Sequence, residues 1–309
     1  MMKKILVFPM FAILALVAIT STVYNANAQT IACGQEITQS VTLDADLNCM
    51  DSGTDGISIG ADDVVLDCAG HTITGPVSSS PAMTGLDGIT LVHANGVTVK
   101  NCHVVYFDNG FVVRSNSSNN NLVSDKADNN GNYGFDIASN SNNNQITNGQ
   151  ASNNGGYGFI IESSSDKNQL DNNLSSGNTR AGFVALTGSN DNTFENDKSY
   201  ENSQDGFIIS SSSGDVLKNN QAIGNTYSGF ALFGSAGVNL ENNTSVDNGM
   251  VGYLLLVSTN NSLVNNDAET NDQDGFLADS GSISNTYGGN QCENNHAGSS
   301  SPAGLCSQN

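Results

Sequence analysis

The chain has 309 residues with 30 acidic and 9 basic side chains, which gives a formal net charge of −21 at pH 7. Such a charge repels nucleic acid and anionic lipid, so it excludes the usual nucleic-acid-binding and membrane-surface proteins. Tryptophan is absent and there are 8 tyrosines, so the aromatic platforms on which sugars often stack are scarce.

Residues 1–28 are predicted to be a secretory signal peptide that is cleaved after Ala28. Two lysines at 3 and 4 precede an apolar core at 5–19, and small residues at 26 and 28 suit cleavage. A lone transmembrane anchor is the alternative, although the apolar stretch is short for a membrane span. No second apolar span follows. We therefore expect a mature chain without a membrane span that is secreted, periplasmic or held at the cell surface.

The segments on either side of the repeat region are predicted to cap its ends. Residues 29–55 would form the N-terminal cap and residues 296–309 a C-terminal cap or tail, because the open ends of a stacked β-structure expose unpaired strand edges. The first coil is longer than the others, and its extra residues lie at 75–85, a stretch rich in proline and serine. This stretch is predicted to be a protruding loop, either functional or simply a tolerated insertion.

Four cysteines lie near the two ends of the chain. Cys33 and Cys49 fit a disulfide within the N-terminal cap, and Cys292 and Cys306 fit a matching disulfide at the C-terminal end. Six cysteines in an exported chain favour pairing, but the sequence alone leaves the connectivity open.

A glycine–aromatic step recurs every 23 or 24 residues and dominates the chain. The glycines of this step are Gly110, Gly134, Gly158, Gly182, Gly206, Gly229, Gly252 and Gly275. A fixed period in this range indicates a solenoid. Short apolar runs bounded by glycine, asparagine and serine are typical of strands, and the period fits three short strands and three turns. Residues 56–295 are therefore predicted to form an all-β, single-stranded parallel β-helix of about ten coils with 22–24 residues each.

Asparagines recur with the same period in two columns. One column is Asn130, Asn154, Asn178, Asn202, Asn225, Asn248, Asn271 and Asn295. The other column is Asn148, Asn172, Asn196, Asn219, Asn242 and Asn265. Asparagine tolerates the left-handed conformation that tight bends require, and stacked amides can hydrogen-bond along a column. We therefore expect these residues to be structural.

The sequence Gly-Val-Thr-Val-Lys-Asn at 96–101, followed by Val-Val-Tyr-Phe-Asp-Asn-Gly-Phe at 104–111, resembles the right-handed parallel β-helix repeat. That repeat occurs in pectate-lyase-like proteins and in NosD-like periplasmic β-helix proteins. Val-Val-Leu-Asp-Cys-Ala-Gly-His-Thr-Ile at 64–73 resembles the coil with which that group begins. The resemblance covers about residues 55–295 and implies the right-handed fold. It does not imply one activity, since the superfamily includes lyases, hydrolases, epimerases, adhesins and binding modules.

Cys68, His71, Cys102 and His103 form the one cluster of soft metal ligands in the sequence. Aligning the two neighbouring coils brings all four together, which suits a transition-metal site such as copper, as the NosD-like resemblance would suggest. The alternative is a third disulfide between Cys68 and Cys102, with His71 a common feature of the fold. We favour the disulfide.

Asp136 is the main candidate for a catalytic carboxylate, because it interrupts a column of otherwise apolar residues. The alternative, a solvated aspartate on the outer face, is favoured on frequency. The resemblance to pectate-lyase-like enzymes implies calcium-binding carboxylates and a basic residue, but only Arg114 and Arg180 are arginines. Arg114 shares a column with Glu162 two coils away, and that distance of ~10 Å is too long for a direct ion pair.

Strand alternation places a second set of residues on the outside of the glycine–aromatic strands. Leu186, Phe233, Leu254 and Leu256 would then form an exposed apolar stripe on an acidic rod, which is typical of a surface for self-association or for docking on another protein. The alternative is that these residues only reflect the β-propensity of the strands.

The sequence supports three functions in a stated order. The first is a non-catalytic exported protein that binds an extracellular polysaccharide or a surface protein, with no cofactor. The second is a polysaccharide lyase or epimerase that depends on calcium. The third is a NosD-like metal-handling protein that uses the cysteine and histidine cluster.

Overall fold

The computed structural model describes residues 27–28, 31–76 and 85–308. Most of the predicted signal peptide, with its cleavage site, and residues 77–84 of the predicted loop lie outside this range. All the regular secondary structure of the described residues is β, in three parallel sheets of 12, 12 and 11 strands. The sheets form about eleven turns of a solenoid, which confirms the predicted fold class and adds one turn to the predicted ten.

Sheet 1 contains the glycine–aromatic strands. Its strands are Gln35–Ile37, Ile57–Ile59, Asp87–Val92, Asn109–Arg114, Phe135–Ile137, Phe159–Ile161, Phe183–Leu186, Phe207–Ser210, Phe230–Phe233, Tyr253–Leu256, Asp274–Ala278 and Gly298–Ser301. Sheet 2 follows it in each coil. Its strands are Asn27–Ala28, Val41–Thr42, Val65–Asp67, Thr98–Lys100, Asn121–Val123, Gln145–Thr147, Gln169–Asp171, Thr193–Glu195, Val216–Lys218, Asn239–Glu241, Ser262–Val264 and Thr286–Gly288.

Sheet 3 closes each coil. Its strands are Leu47–Asn48, Thr72–Thr74, His103–Val105, Lys126–Asp128, Gln150–Ser152, Leu174–Ser176, Lys198–Tyr200, Gln221–Ile223, Thr244–Val246, Asp267–Glu269 and Gln291–Glu293. The segment predicted to cap the N-terminus contributes strands to all three sheets, and Gly298–Ser301 extends sheet 1 at the other end.

The glycine–aromatic step is explained by close packing in the core. Phe135 pairs in register with Phe111 and Phe159, and rings at this position stack from coil to coil with centroids 4.4–5.0 Å apart. Gly134 precedes the ring where a Cβ would lie 2.6 Å from the carbonyl oxygen of Gly158. A larger residue would therefore push neighbouring coils apart.

The two asparagine columns have different structural roles. The exposed column adopts φ of +55° to +58° at Asn148, Asn172, Asn196, Asn219, Asn242 and Asn265. The other column is buried and forms a ladder of side-chain amides along the axis. In this ladder, Asn178 Oδ1 accepts hydrogen bonds from the backbone N–H and Nδ2 of Asn154, and Asn178 repeats the same two bonds to Asn202. These amides therefore satisfy buried backbone groups at a turn.

We expect Asn178→Ala to lower the free energy of unfolding by roughly 2–3 kcal/mol, because it leaves buried donors and acceptors of its neighbours unpaired. Chemical denaturation followed by circular dichroism would measure this loss. Asn121→Ala is the control, because Asn121 lies exposed on a sheet 2 strand. An equal loss in the two variants would contradict the ladder role.

Three disulfides join the six cysteines in the predicted pairs. Cys33 bonds to Cys49, and Cys292 bonds to Cys306. The third disulfide joins Cys68 to Cys102 and links two neighbouring coils. The described residues therefore contain no free cysteine.

Candidate functional site

The outer face of sheet 1 is covered by side chains from neighbouring coils. Its central column includes Val112, Ile160 and Val184, which are 2% exposed or less although they point away from the core of the solenoid. Parallel in-register pairing places Asp136 between Val112 and Ile160 in this column. The sequence therefore puts a carboxyl group into a covered apolar column.

Asp136 is a carboxylic acid at neutral pH. Its Oδ1 is buried without a hydrogen-bond partner among the described residues. Burial, followed by the negative charges of Glu162 and Asp87, raises the pKa of Asp136 to about 8, and the nearby Arg114 offsets only part of this. The interpretation of Asp136 as a solvated surface aspartate is therefore wrong, because side chains of the adjacent coils shield it from water.

Arg114 is one of the side chains that cover this face. Asp87 begins its strand and Arg114 ends the next one, yet the Nη1 of Arg114 donates to Oδ2 of Asp87 at 3.2 Å. The arginine must therefore run back along the strand face, past the level of Val112 and beside Asp136. Asn109 Nδ2 also donates to Asp87, at 2.8 Å. Although these bonds favour ionisation, burial dominates and raises the pKa of Asp87.

Glu162 is the nearest candidate partner of Asp136. It follows the strand Phe159–Ile161, one coil further and two residues along from the position that pairs with Asp136. Strand geometry places the two Cα atoms ~8 Å apart. Glu162 is half-buried, and burial raises its pKa, but no neighbouring anion adds to the effect as it does at Asp136. The two carboxyl groups therefore have different proton affinities.

Two tyrosines lean over the same face. Tyr133 and Tyr157 precede the glycine–aromatic step in successive coils, and their ring centroids are 5.5 Å apart. Both rings pack against the apolar cluster that contains Ile160. The guanidinium of Arg180 lies 5.3 Å from the ring centroid of Tyr157. Sequence analysis missed these residues, although tyrosine at one repeat position in consecutive coils was the signal.

The predicted apolar stripe is less exposed than expected. Leu254 is buried with 8% exposure, and Leu186, Phe233 and Leu256 are half-buried. They pack against the outward-facing central column of sheet 1, in two clusters centred on Val184 and Leu254. Exposed stripe was the wrong description, because these side chains cover one another along the axis; whether they contact a partner stays a prediction.

The predicted metal cluster is not assembled. Cys68 and Cys102 are bonded to each other, so neither offers a thiolate. His71 Nδ1 lies 3.2 Å from Asp46, and His103 Nε2 lies 2.9 Å from Asp128. Over the ranges that the structure describes, no group of three or more His, Cys, Asp or Glu side chains is placed to hold a metal ion. The disulfide alternative is confirmed.

A family model described as "Right handed beta helix region" matches residues 45–199 and 184–307. The chain belongs to the right-handed β-helix family. No match was found among curated protein sequences. Within 27–28, 31–76 and 85–308, no helix is both long and apolar enough to cross a membrane.

Solved structures similar to this β-helix include the periplasmic alginate epimerase AlgG, with a TM-score of 0.67, 13% identity, and coverage of 85% of this chain and 71% of that one. The catalytic domain of a GH87 alpha-1,3-glucanase has a TM-score of 0.67 and 15% identity, with 89% and 60% coverage. The A-module of the Azotobacter vinelandii mannuronan C-5 epimerase AlgE6 has a TM-score of 0.60 and 19% identity, with 80% and 70% coverage. At these identities the likeness shows the fold alone.

The described face can carry out acid–base chemistry. A carboxyl group that holds its proton at neutral pH and a second one that releases it more readily are the pair that general acid–base catalysis requires. Asp136 and Glu162 meet this condition because their surroundings differ. Arg114 adds a positive charge beside Asp136.

Proposed function

We propose that the chain is an exported carbohydrate-active protein that binds a polysaccharide on the outer face of sheet 1 and hydrolyses a glycosidic bond there. The observation that carries the proposal is the buried, protonated Asp136 beside Glu162. Solved structures with this fold that act on polysaccharides by name, the alginate epimerases and the alpha-1,3-glucanase, support it. The three disulfides support folding in an oxidising compartment, in keeping with the predicted signal peptide.

The two carboxyl groups take complementary roles. Asp136 donates its proton to the oxygen of the scissile glycosidic bond as the bond to the anomeric carbon breaks. Glu162, ionised, accepts a proton from the water whose oxygen bonds to that carbon. The products are a reducing sugar and an alcohol, and the net proton passes from Glu162 to Asp136 through solvent. No metal takes part in this scheme.

Non-catalytic binding of a polysaccharide is a second candidate function. It is favoured by the half-buried row of Leu186, Phe233 and Leu256, which continues the face beyond Glu162 without further carboxyl groups on the central column. Such a row offers contact area for a long glycan or a protein. It offers no acid or base.

The two candidates differ in their products. We expect the exported protein, incubated with a panel of neutral and acidic polysaccharides, to release new reducing ends without unsaturated sugars, and chelation of calcium to leave the rate unchanged. Unsaturated products that disappear on chelation would contradict hydrolysis and support the calcium-dependent lyase. Glycan binding without products would support the non-catalytic candidate.

A further inference from the structure

We infer that the glycan bound on the outer face of sheet 1 is neutral, a glucan or a related uncharged polymer, and not a polyuronate. This inference rests on the proposed function and assigns the substrate class of the same site. It matters because the structurally similar proteins include both kinds by name, epimerases of alginate and an alpha-1,3-glucanase.

Carboxyl groups dominate this face. Asp87, Asp136 and Glu162 are close enough for their charges to affect one another. Asp108, which is 4% exposed, adds to the negative charge around Asp87. A uronate carboxylate that approached would meet like charges, so binding would require basic side chains that are free to pair with it.

Basic side chains are not free in the required place. Arg114 is already paired with Asp87, itself only 6% exposed, and a competing uronate would have to leave that buried carboxylate unpaired. Arg180 lies over the ring of Tyr157, exposed at the edge of the face. One exposed arginine cannot neutralise a polymer that carries a carboxylate on each sugar.

The lysines lie elsewhere on the solenoid. Lys100 and Lys218 end strands of sheet 2, and Lys126 and Lys198 begin strands of sheet 3. Lys167 lies in the turn that leads from sheet 1 to sheet 2 and has a φ of +58°. Every lysine of the described residues is therefore outside the strands of sheet 1.

The remaining polar groups of the face suit hydroxyl groups. Tyr133 lies near Glu162 and Asp136, and burial together with the charge of Glu162 raises the pKa of its phenol, which keeps the proton. A protonated phenol donates to one sugar hydroxyl and accepts from another. Together with the Arg180 guanidinium, the two tyrosines make a row of donors along the axis that can bind an uncharged chain.

The test compares binding of soluble neutral glucans with binding of alginate and polygalacturonate, by affinity electrophoresis and by calorimetry at low and high salt. We expect binding to a neutral glucan that changes little with salt, and none to the polyuronates. Tyr157→Ala should weaken it by roughly tenfold, a loss typical of one or two hydrogen bonds and their packing. Tyr200→Ala is the matched control, because Tyr200 is half-buried on sheet 3.

Each result has one meaning. Preference for a polyuronate would overturn the substrate class and leave the proposed function standing. Equal weakening in Tyr157→Ala and Tyr200→Ala would overturn the assignment to this face. A protein that binds and cleaves neither class would overturn the proposed function itself.

Discussion

Replacing Asp197 by asparagine is expected to raise the free energy of unfolding at pH 8 by roughly 2–4 kcal/mol, since it removes an uncompensated buried charge. Asp197 occupies a buried ladder position between Asn173 and Asn220. Its Oδ1 accepts hydrogen bonds from the backbone N–H and Nδ2 of Asn173, but its Oδ2 has no partner among the described residues. An amide nitrogen in that place would donate onward, as Asn220 does to Asn243.

The same reasoning predicts that the wild-type protein loses stability as the pH rises. Burial raises the pKa of Asp197 well above 3.8, that of Asp125 to about 8 and that of Asp215 to about 7. Because each folded pKa exceeds the unfolded one, the protonated form stabilises the fold below about pH 4, and this stability is lost up to pH 7–8. For Asp125 the loss by pH 7 is on the order of 4 kcal/mol.

Neighbouring charges act in the same direction as burial at these sites. Asp171 and Glu195 raise the pKa of Asp197, and Asp67 raises that of Asp125. Asp191 and Asp166 act on Asp215 in the same way. No basic side chain among the described residues offsets the shift at any of the three sites.

Denaturation midpoints at several pH values between 4 and 9 would test this prediction. The Asp197→Asn variant should show a flatter pH dependence than the wild type, with the largest difference at high pH. Asp51→Asn is the control, because it removes the same charge from an exposed position. Parallel curves for Asp197→Asn and the wild type would show that Asp197 does not titrate with folding.

Much of the fold could be predicted because each coil repeats the same packing problem. The spacing of Gly134 and Phe135 and of their equivalents reflects one ring stacked on the next, so the period alone reveals the coil. The first turn was missed because Gln35–Ile37, Val41–Thr42 and Leu47–Asn48 lack the glycine–aromatic step. Their disulfide from Cys33 to Cys49 marks the end of the solenoid more clearly than their pattern does.

The asparagine columns show what periodicity leaves unresolved. Asn148 and Asn154 recur with the same period, but one is exposed with φ of +56° and the other is a buried amide of the ladder. The sequence cannot separate these roles because asparagine suits both. For the same reason, Asp197 looks like a surface acid in the sequence, since only the fold reveals that it fills an asparagine position.

The candidate site could be predicted only in part. Asp136 was identifiable as a polar residue in an apolar column, but its protonation depends on side chains that cross between coils. Arg114 reaches back to Asp87, and Tyr133 leans towards Ile160. These conformations are set by contacts in three dimensions, and the repeat pattern does not contain them.

Replacing Asp136 by asparagine is expected to reduce glycan hydrolysis by roughly 10²- to 10⁴-fold, the usual contribution of a general acid. An amide fills the same volume but cannot donate a proton to the leaving oxygen. In the wild type, activity should fall as the pH rises through about 8, where Asp136 loses its proton. It should also fall at low pH, where Glu162 becomes protonated and cannot accept one.

Loss of activity in this variant cannot be ascribed to unfolding if its stability is measured alongside. Asp136→Asn removes a carboxyl group whose Oδ1 is buried without a partner, so the variant should be at least as stable as the wild type above pH 7. Asp171→Asn, at the end of a sheet 2 strand, is the control that should keep full activity. A folded Asp136→Asn variant that hydrolyses glycan at the wild-type rate, with the decline near pH 8 unchanged, would exclude Asp136 as the acid.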